Sequence, residues 1–101
     1  MLVEFSVVPI GVGVSLSKYV ARSLEIVERS GLPYRINPMG TVIEGDYDEV
    51  MGVVRECHMA MLEVSERVVT TIKIDDRKGV VNALDRKIAS VEEKIGHPLK
   101  K

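Results

Sequence analysis

The nine residues from Pro38 to Asp46 restrict the folds open to this chain more than any other segment. Pro38-Met39-Gly40 reads as a tight turn, Thr41 to Glu44 as a short strand ending on a carboxylate, and Gly45 as a break before a helix. Asp46 with Glu49 three residues on is a capping-box pattern, and the apolar run from Val50 to Val64 follows it. Gly40 is expected to supply a positive φ for the turn, and Gly45 to let the backbone bend between strand and helix. Turn and cap chemistry do not account for the hydroxyl of Thr41 and the carboxylate of Glu44 that bracket the strand, and this pair is a first lead to a binding site.

The flanking segments complete the pattern. Val3 to Pro9 alternates, with Val3, Phe5 and Val7 on one side and Glu4, Ser6 and Val8 on the other. Gly11-Val12-Gly13 ends that strand, and Ser15 or Ser17 can cap the helix that follows. Its stripe is Leu16, Val20, Leu24 and Val27, and Gly31 suits a left-handed C-terminal cap. Tyr34 to Asn37 lies between prolines, as an edge strand would. A second helix from about Tyr47 to Val64 is expected to bury Val50, Val54, Cys57 and Met61 or Leu62. Arg67 to Asp75 alternates again, and the stripe Val80, Leu84, Ile88, Val91 and Ile95 predicts a last helix, stopped by Gly96 and Pro98. Strand–helix–strand occurs twice, so the expected fold class is α+β. The arrangement is a ferredoxin-like βαββαβ antiparallel sheet with an additional C-terminal helix, all of it one domain over residues 1–101.

Composition narrows the function classes. The chain is 46% hydrophobic and 29% charged, as in a soluble globule, and 101 residues can bury roughly two thirds of the unfolded surface. A net charge of −1 argues against nucleic acid as a partner. No apolar run reaches the roughly 18–20 residues of a membrane span. The start of the chain lacks the basic and small-residue features of a signal peptide, and one cysteine fits a reducing compartment, so a cytoplasmic location is expected.

Two helices cover one face of such a sheet. The other face is expected to display Glu4, Ser6, Val8, Arg35, Asn37, Thr41, Ile43, Val69, Thr71 and Lys73. It mixes valine and isoleucine with small hydroxyls, a surface that is usually covered. The cover is either the chain's own C-terminal helix or a second copy of the sheet, and the second is preferred because one helix cannot easily shield a whole face. Thr41 and Glu44 fall on opposite faces by period two, so they share a site only if the bend at Gly45 swings the carboxylate around. Otherwise Glu44 caps a helix or pairs with Arg35 or Arg67.

Other chemistries find little support. Gly11-Val12-Gly13 lacks the third glycine and the lysine-serine ending of a phosphate loop. Cys57 and His58 adjoin on a helix and point about 100° apart, so they cannot chelate one ion together. No serine–histidine–carboxylate set exists, the first strand–helix loop lacks an acylphosphatase arginine, and aromatics are too few for RNA stacking. No catalytic residue, metal or cofactor is therefore expected. Asp75-Asp76-Arg77-Lys78 reads as a solvated turn, with Asp75 able to close a pocket on the open face.

The chain resembles the thiamine-binding protein family, small ferredoxin-like domains related to YkoF-like hydroxymethylpyrimidine and thiamine binders. The resemblance runs through Val7-Val8-Pro9, Tyr34 with Pro38 to Gly45, and Asp48-Glu49-Val50-Met51. It continues in Arg67-Val68, Lys73-Ile74-Asp75-Asp76-Arg77 and Lys87. It implies a cytoplasmic homo-oligomer, a dimer or a tetramer of sheet-packed dimers, that binds thiamine or a related pyrimidine without catalysis. Glu4, Ser6, Tyr34, Asn37, Thr41, Glu44 and Thr71 offer the hydroxyl, amide and carboxylate partners such a ligand wants, with Glu4 or Glu44 offsetting the cation. The alternative is a structural or regulatory homo-oligomeric module with no small-molecule ligand.

Overall fold

Alternation in the strands and helical spacing between them produce the order β1 (Leu2–Ile10), α1 (Ser17–Arg29), β2 (Tyr34–Asn37), β3 (Gly40–Glu44), α2 (Tyr47–Leu62), β4 (Arg67–Asp75) and α3 (Ala83–Ile95). The computed structural model describes all of residues 1–101. The four strands form one antiparallel sheet in the order β2-β3-β1-β4, the ferredoxin-like α+β arrangement with a C-terminal helix added. Its short axis is 20 Å, the thickness of one helix layer on one sheet.

Register decides which side chains meet the helices. Val3 lies opposite Ile43 and Ile74, and Phe5 opposite Thr41 and Ile72. Val3, Phe5 and Ile43 join Ile26 and Val27 of α1 and Val50, Val54, Cys57 and Met61 of α2 in one core. The expected face assignment of Thr41 and Ile43 is therefore reversed: Ile43 has no exposure and is central to the core, while Val42 and Glu44 share the opposite face. Period two groups alternate residues correctly, but Val42 and Ile43 are equally apolar, so hydropathy alone does not choose the side.

Gly40 serves packing and not the turn conformation expected of it, whereas Gly45 forms the expected bend between β3 and α2 and is closely packed as well. Neither Gly40 nor Gly45 has a positive φ. A Cβ at Gly40 would stand 3.2 Å from the Phe5 carbonyl oxygen, and one at Gly45 would stand 3.2 Å from both Leu32 and Val50. The expected helix caps also differ. α1 starts after Leu16 and α2 after Asp46, and neither start has a side-chain cap hydrogen bond. Gly31 and Gly96 take left-handed φ values of 74° and 87° at the two helix ends, as their positions predict.

α3 crosses the second sheet face at one end only. Glu44 is 9% exposed, and its carboxylate accepts from the Ala83 N–H at 2.6 Å and the Leu84 N–H at 3.4 Å. Those are orphan donors of the α3 first turn, so a strand residue caps a helix 39 positions away. Arg35 pairs with Asp85, and Asp75 with Lys87, fixing the helix to both sides of the sheet. Val80, expected to begin the stripe, precedes the helix, and of the rest only Leu84 is buried; Val91 and Ile95 stay about half exposed.

Candidate functional site

The two neighbours of β1 differ in length. Its pairing with β4 runs from Leu2 to Ile10, whereas its pairing with β3 stops at Phe5 opposite Thr41. From Ser6 onward the β3-side edge of β1 therefore has no strand against it. An unpaired strand edge presents alternating backbone donors and acceptors. A cavity of about 400 Å³ occupies this gap, closed by α1 on one side and by the β2–β3 turn on the other.

Apolar walls surround a few polar groups. Phe5, Tyr19, Val20 and Leu24 supply the walls, Thr41 shares the Phe5 face, and Ser6 and Asn37 border the cavity from β1 and the β2–β3 turn. Ser23 also lines the cavity, with a buried hydroxyl that makes no hydrogen bond of normal geometry. Pro9 lies at the end of the gap and has no N–H to leave unpaired. Apolar walls with a small number of convergent polar groups are the usual make-up of a small-molecule site. The cavity contains no carboxylate, and Lys18 places its ammonium 5.1 Å from the Tyr19 ring centre, so its field does not favour a cation.

Three of the seven residues nominated from sequence, Ser6, Asn37 and Thr41, are thus brought to one cavity. The others are not. Tyr34 packs against the core, and Glu44 caps α3. Glu4 stands in register with Lys73 on the opposite sheet face, and Thr71 is exposed there opposite Ser6. Asp75 is tied to Lys87 at the far end of β1 from this cavity. Tyr19, Val20 and Leu24 were not nominated: Leu16, Val20 and Leu24 read as a core stripe, and Val20 is instead about half exposed to the cavity. The usable signal was length, because a nine-residue strand beside a five-residue one must leave an edge free.

Cys57 and His58, adjacent on α2, both have structural partners. Cys57 is fully buried, its thiol donating to the Ser23 carbonyl at 3.5 Å. Burial pushes that thiol up to about 11, with the Ser23 side chain offsetting part of the rise. His58 Nδ1 lies 2.6 Å from Thr70 Oγ1, joining α2 to β4.

A family model described as thiamine-binding protein matches residues 3–92. The chain belongs to the thiamine-binding protein family. It is 44% identical over 95 residues to a UPF0045 protein of Methanothermobacter thermautotrophicus, across 91% of this chain and 96% of the relative. A crystal structure of a hypothetical protein from Methanocaldococcus jannaschii superposes with a TM-score of 0.84 at 40% identity, covering 91% of this chain and 95% of the other. A candidate thiamine biosynthesis/salvage protein from Thermotoga maritima superposes at 0.78 with 26% identity, over 89% and 96% of the two chains. No helix is long and apolar enough to cross a membrane.

Proposed function

We propose that residues 1–101 act as one non-catalytic, cytoplasmic binding domain for the pyrimidine part of thiamine or a related hydroxymethylpyrimidine, held in the gap beside β1. The observation that carries this reading is the free β1 edge, which faces a cavity of about 400 Å³ lined by Ser6, Asn37 and Thr41. An aminopyrimidine offers donors and acceptors along one edge of a flat apolar ring. A bare strand edge offers the complementary series, and Phe5 and Tyr19 supply surface for the ring. Membership of the family and the likeness to the Thermotoga maritima protein support the ligand class.

The electrostatics favour a neutral ring over the thiazolium cation. Glu4 and Glu44, nominated to offset that charge, do not line the cavity, and Lys18 stands over Tyr19. The neutral hydroxymethylpyrimidine should therefore bind at least as tightly as thiamine. Calorimetry with both compounds tests the reading. Thr41→Val should weaken binding about tenfold, the worth of one hydrogen bond. Millimolar ligand without heat or a change in melting temperature would remove the proposal.

A second reading rests on a different observation. The sheet face that α3 leaves bare carries Val69, 45% exposed, beside Thr71, and the edge of β4 is also bare. An exposed nine-residue edge strand with apolar side chains is a template for a second copy. In this reading the chain is a homodimer or homotetramer that packs through that face, with or without a ligand.

A further inference from the structure

A second cavity lies at the other end of β1. It occupies about 520 Å³ between α3, the end of β4 and the start of β1. Residues 83, 86, 87, 90 and 91 of α3 line it, the i, i+3, i+4, i+7 spacing of one helix face. Arg77 faces it from the loop after β4.

Its charge differs from that of the molecule. The whole chain carries −1, yet Arg77, Arg86 and Lys87 meet here with Asp75 as the one acidic lining residue. Asp75 is engaged by Lys87, which with smaller pulls from Arg77 and Lys73 holds its carboxyl below the usual range. Arg77 and Arg86 make no ion pair. Unpaired guanidiniums normally project into water, whereas these two converge on a concave surface with Leu2, Val80 and Val91 as apolar walls. The charged groups stay exposed at the rim, where apolar walls beside them focus their field into the concavity.

We propose that this cavity binds a phosphate group, free or as the monoester of a small molecule, through Arg77, Arg86 and Lys87, with the Ser90 hydroxyl as a further donor. Two guanidinium forks can each grip two phosphate oxygens, and three cations against one carboxylate match the charge of a phosphate dianion. The tie from Asp75 positions the Lys87 ammonium at the cavity wall. The apolar side has no role toward inorganic phosphate but gives the organic part of a monoester a surface to cover. This site is independent of the gap beside β1, which shares no lining residue with it.

Calorimetric titration at low salt with inorganic phosphate, and separately with phenyl phosphate, tests the site. Saturable binding is expected, weakened about tenfold or more by Arg77→Gln or Arg86→Gln and less by Arg86→Lys, which keeps charge but not the fork. Lys94→Gln, outside the cavity lining, should leave the affinity unchanged, and so should Thr41→Val. Tighter binding of phenyl phosphate marks a monoester site; equal affinity marks a site for phosphate itself. No saturation by about 10 mM of either compound, the range of the weakest specific sites, would overturn the proposal. Equal loss on Lys94→Gln would do the same, because it would mean diffuse attraction only. Melting curves of each variant confirm that the exposed substitutions leave the fold intact.

Discussion

Glu44 shows how much of a residue's role depends on a partner distant in sequence. Its position at a strand end before a glycine allows either a ligand contact or a helix cap, and its two carboxylate oxygens take the first N–H groups of α3. Glu44→Ala should cost about 1 kcal/mol, a typical cap value, and speed amide exchange in the first turn of α3. Asp46→Ala should stay within about 0.5 kcal/mol, because Asp46 makes no side-chain cap bond although its sequence pattern predicts one. Urea melts of the two variants separate the predictions. The pattern at Asp46 was legible and misleading, since a capping box describes residues able to close and not geometry that has closed. Cys57 belongs at this scale too. Its thiol is raised from 9.0 to about 11, so the folded state retains a proton that the unfolded state releases. Stability is therefore unaffected below pH 9.0 and falls between that value and about 11. Cys57→Ala should remove this part of the alkaline slope, measured by urea melts from pH 8 to 11 against the parent chain.

At the scale of elements, close approach explains Gly40 and Gly45 better than a left-handed backbone does. Gly45→Ala would bring a Cβ within 3.2 Å of Leu32 and Val50, an overpacked contact worth about 1–3 kcal/mol. Gly52, in the middle of α2, has open space around its missing Cβ. Gly52→Ala should therefore raise stability by about 0.5–1 kcal/mol through helix propensity, and thermal melts of both alanine variants check the contrast. All seven elements were readable from period and punctuation. Tyr34–Asn37 falls on its expected bounds, and the α2 stripe Val50, Val54, Cys57 and Met61 is buried as its spacing predicts. Which face of β3 meets the helices was not readable, because register with β1 decides it and two adjacent apolar residues satisfy either choice. The wall of the candidate site was hidden for a related reason. Val20 and Leu24 have the spacing of core residues, and only the early end of β3 turns them toward a cavity.

For the whole molecule, the same shortness of β3 that opens the gap beside β1 also leaves the sheet uneven. α3 covers the Glu44–Asp75 end, and the Val69–Thr71 end is bare. If copies pack through that bare face, Val69→Lys should reduce the mass measured by light scattering while hydroxymethylpyrimidine affinity is retained. The reading that makes this chain a pyrimidine binder rests on the free edge of β1 and is tested most directly by amide chemical-shift mapping during titration with hydroxymethylpyrimidine. Shifts should concentrate on Ser6 to Val8, Tyr19 to Ser23 and Asn37 to Thr41. Saturable shifts centred instead on Thr71 and Lys73, or none at millimolar ligand, would contradict the account.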